Sequence, residues 1–322
     1  MRFDPLSRRT FGVLLLATGA TAAAQTWPAK PLTLVVPFPA GGGTDIVVRA
    51  IQPMLQQALG QPIVIDNRGG AGGTIGSNVV AKAAPDGYVL GIATTSTHAV
   101  SVGVSRNLPY DPLKDFAYAG FIGTSPYVLA VNAGVPAADV KALVATMRKN
   151  PQHFSFASVG AGTVSHLIGE QFKAYSGVPL VHVPYRGASP AYTDLIGGQV
   201  QLMFDNPVGL ASYFRAGKLQ AVATTGSNAL LAGVPTFAQQ GVPNFAQSLW
   251  YGVVFPKGTP QPIVQKFNEA LNKVLTDRAV AADLASKGVN ARPGPAADLQ
   301  ATVAKDIPYW GQVARAVGAT VD

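Results

Sequence analysis

The sequence contains no cysteine, and only 12% of its 322 residues are charged. The missing thiols exclude disulfides, cysteine-ligated zinc, iron–sulfur clusters and cysteine nucleophiles. Disordered chains combine high charge with low hydrophobicity, so a hydrophobic content of 48% with so little charge predicts a packed core. No apolar stretch reaches the roughly 18 residues that a membrane-spanning helix needs.

Common catalytic and cofactor motifs are also missing. The dinucleotide pattern G-x-G-x-x-G fails at 70/72 and at 160/162, because Ile75 and Ser165 stand at the third glycine position. There is no P-loop and no G-x-S-x-G elbow, and the four histidines lack metal-ligand spacing. We therefore predict no cofactor, no metal and no catalytic residue. A secreted hydrolase of small carboxylates stays open as the alternative.

The formal net charge of +8 results from scarce acids, 16 against 24 basic residues. Adjacent basic residues occur only at Arg8-Arg9 and Arg148-Lys149, and no basic stripe interleaves with aromatics. Nucleic acid is therefore not a predicted partner. A mildly basic surface attracts small anions, and we expect a monomeric protein with a small anionic ligand.

Residues 1–24 are typical of a secretory signal peptide: arginines, an apolar run over 11–20, and then Ala22-x-Ala24 as a cleavage site. The mature chain is predicted to start at Gln25, in the periplasm. Arg8-Arg9 also resembles a twin-arginine signal. Export by the general secretory route or by the twin-arginine route stays open.

Short apolar runs alternate with helical patterns, which predicts an α/β fold. Strands are predicted at 32–36, 63–66, 89–93, 128–131, 154–157, 180–183, 200–204, 219–223 and 251–255. Because most are apolar throughout, we expect parallel sheets buried on both faces. Pro53 and Pro308 should kink the first and the last helix. The length predicts two domains, and the lack of a linker indicates that the chain crosses between them within strands.

Four turns rich in glycine, serine or threonine each follow a predicted strand, at 37–45, 67–76, 94–98 and 158–166. Ligands of open α/β sheets lie beyond the carboxyl ends of the strands, and a glycine-rich turn before a helix suits an anion. One such turn more often reflects tight packing, but four favour an anion site. His98 and His166 are predicted either to bind ligand or to bond within a turn. Asp205 is predicted to meet a ligand amine or hydroxyl, or to cap the next helix.

Several motifs in order resemble the Bug family, the TctC-like substrate-binding proteins of tripartite tricarboxylate transporters. The resemblance covers the mature chain and depends on these segments: W-P-x-K-P at 27–31, P-F-P-A-G-G-G-T-D at 37–45, N-R-x-G-A-G-G at 67–73, P-D-G-Y at 85–88, H-V-P-Y at 182–185, D-L-I-G-G-Q-V at 194–200, M-F-D at 203–205, V-P-T at 234–236 and G-T-P at 258–260.

The resemblance implies a type II periplasmic-binding fold, with two doubly wound α/β lobes around a ligand cleft. One lobe would hold residues 27–126 plus 250–322 and the other 127–249. The implied function is capture of a small carboxylate for a two-component membrane permease of the TctA/TctB type, without catalysis. The carboxylate would be bound by backbone groups of the turns at 38–45 and 158–163.

The candidate ligand-binding residues come from those turns and from the polar positions near them. They are Phe38, Pro39, Ala40, Gly41, Gly42, Gly43, Asp45, Thr95, Ser96, His98, Ser158, Gly160, Gly162, Thr163, His166, Tyr185 and Asp205.

Overall fold

A computed structural model describes residues 27–321 of the chain. The predicted signal peptide and the cleavage site before Gln25 lie outside the described residues. Within the described part, no helix has the length and apolar character required to cross a membrane.

The first sheet has six strands in the spatial order β11-β4-β10-β3-β1-β2. They are β1 (Leu32–Val36), β2 (Ile63–Asn67), β3 (Val89–Thr94), β4 (Phe116–Pro126), β10 (Ser248–Pro256) and β11 (Asn290–Ala291). β1 pairs in parallel with β2 and β3, whereas β10 runs antiparallel to β3 and β4. The carboxyl ends of β1, β2 and β3 therefore meet at one edge, where three of the glycine- and threonine-rich turns emerge.

The second sheet has five strands in the order β7-β6-β8-β5-β9. They are β5 (Val128–Asn132), β6 (Ser155–Ser158), β7 (Val181–Pro184), β8 (Leu202–Asp205) and β9 (Leu219–Thr224). β6 is parallel to β7 and β8, and β5 is antiparallel to β8 and β9. β6 ends at the turn at 158–163, and the parallel strand β8 ends at Asp205, so the turn and Asp205 lie side by side.

Helices cover both sheets. They are α1 (Gly43–Leu59), α2 (Thr74–Ala81), α3 (Ser101–Val104), α4 (Val140–Lys149), α5 (Val164–Ser176), α6 (Ala188–Ile196), α7 (Pro207–Arg215), α8 (Gln261–Thr276), α9 (Arg278–Ser286) and α10 (Ala296–Ala316). α8 and α10 pack on β4, and α5 packs on β6 and β8. The predicted α/β class is confirmed.

Several local predictions need correction. Both sheets are mixed rather than parallel, because β4, β5, β9 and β10 run antiparallel to their neighbours. β4 was absent from the predicted strands because its small residues, three of them glycine or alanine between aromatics, give no long apolar run. The two proline-containing helices, α1 with Pro53 and α10 with Pro308, are each one continuous element, and the predicted kinks stay predictions.

The chain passes between the sheets twice. Tyr127 alone separates β4 of the first sheet from β5 of the second, so this crossing lies within nearly continuous strand, as predicted. The return runs through residues 225–247, which contain two short 3₁₀ turns rather than a strand. The lobe boundaries at 126/127 and 249/250 stay a prediction.

Candidate functional site

The first glycine turn leads directly into α1. The helix begins at Gly43, and its N-cap Gly42 offers no side chain to the first backbone N–H groups. The first N–H groups of a helix have no acceptor within the helix. The start of α1 therefore presents bare backbone.

Asp45 supports this turn from within. Its Oδ2 accepts from the Gly41 N–H at 3.0 Å and from Arg49 Nε at 2.8 Å, and its Oδ1 accepts from Asn67 Nδ2 at 3.0 Å. Burial opposes ionisation, but these hydrogen bonds from Arg49, Gly41 and Asn67 together lower the pKa of Asp45. Asp45 thus holds the shape of the turn, and its predicted contact with the ligand stays a prediction.

Two histidines support the matching turn of the second sheet. His182 Nε2 lies 2.7 Å from Ser158 Oγ, and His166 Nδ1 accepts from the Gly162 N–H at 3.2 Å. The two imidazole rings stack with centroids 3.9 Å apart. Thr163 adds the N-cap of α5, donating to the Gly160 carbonyl at 2.7 Å. Together these contacts fix the conformation of residues 158–163.

His166, Glu170 and His182 also bring three possible metal-ligating atoms within 4.8 Å of one another. A metal ion lies close to the plane of each imidazole that ligates it, along the nitrogen lone pair. The two stacked rings are only 12° from parallel, so their lone pairs do not converge on one point. Lys173 Nζ, 3.4 Å from Glu170 Oε2, further competes for the carboxylate. The arrangement suits a structural role.

The turn after β3 forms a π-helical segment over Ser96–Val100, and its side chains diverge. Thr95 Oγ1 accepts from the Trp250 N–H at 3.0 Å, within the first lobe. Ser96 Oγ accepts from the Val164 N–H at 3.2 Å, which joins the first lobe to the start of α5 in the second. Ser96 therefore lies where the lobes meet.

His98 points away from this contact into the core. It is 0% exposed, packs against the Phe116 ring with centroids 4.6 Å apart, and meets Thr97 Oγ1 through Nδ1 at 2.9 Å. Burial lowers the pKa of His98 to about 3. Of the two predicted roles of His98, this burial favours a bond within the turn over contact with a ligand.

Two adjacent cavities lie between the lobes. The small cavity, of about 30 Å³, is lined by the first turn of α1 (Gly42, Gly43 and Thr44), by Thr94, Ser96 and Tyr127, and by Asp205 and Asn206 of the second lobe. The large cavity, of about 380 Å³, is lined by residues 70–74, 159–162 and 184–187, together with Asn107 and Val321. Phe38 and Val159 belong to the walls of both.

The lobes touch around these cavities. Ser189 Oγ lies 3.4 Å from the Ala40 carbonyl, and a Cβ on Gly160 would stand 3.3 Å from Gly72 Cα. Glycine turns from the two sheets therefore face each other across the interface with no side chain between them.

The cavity walls include about half of the predicted site. The predicted residues that line a cavity are Phe38, Pro39, Gly42, Gly43, Ser96, Gly160, Gly162, Tyr185 and Asp205. The predicted residues that line neither cavity are Ala40, Gly41, Asp45, Thr95, His98, Ser158, Thr163 and His166. Ala40 and Gly41 are exposed, and the other six are buried.

Other wall residues were not selected from the sequence. The turn at 70–74 had been recognised as glycine-rich, and the structure brings it opposite 159–162. Asn206 directly follows the predicted site residue Asp205, so the M-F-D segment at 203–205 could have indicated it. Tyr127, between β4 and β5, carries no local signal, and its position depends on how the two sheets join.

Comparison with known proteins gives a consistent picture. The sequence model of the tripartite tricarboxylate transporter family receptor matches residues 47–319. Protein BugT of Bordetella pertussis is 35% identical over 313 residues, which is 96% of each chain. The periplasmic binding protein BugD is 33% identical with a TM-score of 0.87, over 91% of this chain and 99% of that one. Rpa4515 of R. palustris, solved with adipate, is 35% identical with a TM-score of 0.88, over 91% and 99%.

Proposed function

Because this chain belongs to the tripartite tricarboxylate transporter receptor family, we propose that it is a periplasmic solute-binding protein that captures a small carboxylate. It would deliver this ligand to a two-component membrane permease. The two-lobed fold that it shares with BugD supports the proposal, as does the bound adipate of its relative Rpa4515.

The observation that carries the proposal is the meeting of glycine-rich helix starts from both lobes at one cavity. Residues 70–74 lead into α2 of the first lobe, and residues 160–162 lead into α5 of the second. Helix N-termini favour anions, by about 0.3–1 kcal/mol when exposed and up to ~2 kcal/mol when partly buried. A cavity of about 380 Å³ accommodates a small organic acid.

A secreted hydrolase finds no support in the comparisons. Ser158 and His182 have the 2.7 Å spacing of a nucleophile and its base. However, burial and then the neighbouring His166 and Lys173 lower the pKa of His182 to about 3. A general base works best with a pKa near the operating pH, so this pair suits a structural bond better than proton transfer.

The test is to identify the ligand that stays bound to the protein during purification. The protein is purified natively and denatured, and the released small molecules are analysed by mass spectrometry. We expect a carboxylic acid in stoichiometric amount, which rebinds and is recovered unchanged after prolonged incubation. Conversion of the acid into a product by the protein would contradict a pure binding function.

A further inference from the structure

The second-lobe wall of the small cavity is built from hydrogen-bond acceptors. Asp205 is 3% exposed, and its carboxylate accepts from Tyr192 Oη at 2.6 Å and from the backbone and side-chain nitrogens of Asn206 at 2.8 and 3.0 Å. A carboxylate offers about four lone-pair positions, so one is still free. Asn206 is 5% exposed, and its Oδ1 has no partner among the described residues.

The orientation of the Asn206 amide is fixed by its neighbour. Nδ2 donates to Asp205 Oδ1, so a flipped amide would bring two oxygens together. The unpartnered Oδ1 is therefore an acceptor by construction. It is buried against Gly43 at the first turn of α1, so a donor that reaches it must enter between Asn206 and this turn. A buried acceptor without a donor lowers stability, and a donor on a ligand would recover this loss.

This wall also carries uncompensated negative charge. Among the described residues, none that line the small cavity is lysine, arginine or histidine. Burial raises the pKa of Asp205 to about 6, although hydrogen bonds from Tyr192 and Asn206 oppose the rise. A second carboxylate brought close to Asp205 would repel it unless the ligand also supplied a donor or a positive charge.

The size of the small cavity limits what the acceptors can meet. About 30 Å³ holds one or two water-sized groups, which matches a hydroxyl or an ammonium and excludes a carbon chain. Phe38 and Val159 line both this space and the large cavity, whose volume takes the rest of a small acid. The ligand would thus lie in the large cavity and direct one polar substituent at Asp205 and Asn206.

We propose that the ligand of this protein is a carboxylic acid that bears a hydroxyl or ammonium group next to a carboxylate, and that Asp205 and Asn206 accept hydrogen bonds from that group. This proposal rests on the proposed carboxylate-binding function and deepens it. Hydroxyl and ammonium share the donor chemistry that the wall requires. The uncompensated charge of Asp205 favours the ammonium.

Isothermal titration calorimetry with matched acids at pH 7.5 tests the proposal. The C4 series is succinate, L-malate and L-aspartate, the C5 series glutarate, 2-hydroxyglutarate and L-glutamate, and the C6 pair adipate and 2-aminoadipate. At the chain length that binds best, we expect a substituted acid to bind at least tenfold more tightly than its unsubstituted parent. Malate against aspartate, or the equivalent C5 pair, distinguishes hydroxyl from ammonium.

Two variants test whether the preference for substituted acids depends on Asn206. Asn206→Ala removes the unpartnered acceptor and should reduce the preference at least fivefold while the unsubstituted acid still binds. Tyr192→Phe is the matched control, because it removes a donor to Asp205 at 2.6 Å but no acceptor from the cavity wall, so the preference should persist.

Equal or tighter binding of the unsubstituted acids would overturn this proposal and leave the carboxylate-binding function intact. An unchanged preference in Asn206→Ala would also overturn it. Failure of every acid to bind would contradict both the proposal and the function on which it rests.

Discussion

Replacing Gly43 by alanine is expected to reduce ligand affinity at least tenfold, which is about 1.4 kcal/mol. Gly43 opens α1 and faces Asn206 of the opposite lobe. A Cβ at this position would meet Asn206 Oδ1 first, and it would stand 2.6 Å from Asn206 Nδ2 and 2.7 Å from Cγ. Asn206 can move away only by giving up its bond to Asp205, or else the lobes must stay further apart.

The neighbouring Gly42→Ala variant is the matched control for the calorimetry. Its Cβ would lie 3.5 Å from the Ala188 Cβ, an ordinary contact, and Gly42 has a negative φ of −80° that alanine tolerates. Alanine is also a better helix former than glycine by about 1 kcal/mol, so Gly43→Ala should fold. Equal affinities of the two variants and the parent protein would show that the lobes need not meet at Gly43.

The second lobe offers a matched pair of glycine-to-alanine variants. Gly162 has φ +73°, and a Cβ there would lie 3.0 Å from Val104 Cγ2 of the first lobe. Gly177 has nearly the same φ, +65°, but nothing within 4 Å. Both alanine variants bear the same backbone strain, about 1–2 kcal/mol, so extra loss of affinity in Gly162→Ala alone measures the contact between the lobes.

The stability of the protein should fall steeply in mild acid because His98 is buried in its neutral form. Burial lowers the pKa of His98 to about 3 from an ordinary 6.5. The unfolded chain therefore binds a proton between these values that the folded protein does not. The stabilisation is complete above pH 6.5 and is lost as the pH falls. Between pH 7.5 and pH 5 the loss from this residue alone is about 2 kcal/mol.

Urea unfolding at the two pH values measures this loss as a difference in the free energy of unfolding. His98→Gln should shrink the difference by about 2 kcal/mol, whatever its effect on stability at pH 7.5. His153→Gln is the control, because His153 is exposed on the second lobe and should leave the difference unchanged. A difference that is the same in His98→Gln and the parent would mean that His98 titrates normally in the folded state.

The sequence predicts the parts of the site that depend on local chain geometry. A buried strand, a run of glycines and a helix in succession place backbone N–H groups at a sheet edge, as residues 37–45 and 158–166 do. This succession of strand, turn and helix depends only on neighbouring residues, and the structure contains it at both places.

Features of the site that depend on long-range packing cannot be predicted from neighbouring residues. His98 lies at the end of a polar turn, where a ligand residue is expected. The π-helical segment nevertheless directs it into a pocket of aromatic rings. Gly42 and Gly43 are indistinguishable in sequence, and only the position of Asn206 in the other lobe separates their roles. Tyr127 reaches the cavity because two sheets join there.

Recognition of a carboxylate by the two glycine turns is tested by calorimetric titration with the acid identified by mass spectrometry and with its amide. We predict that the acid binds and that neutralising its carboxylate lowers the affinity at least tenfold, since helix starts recognise the charge. Equal binding of the acid and the amide would contradict recognition of a carboxylate by the glycine turns.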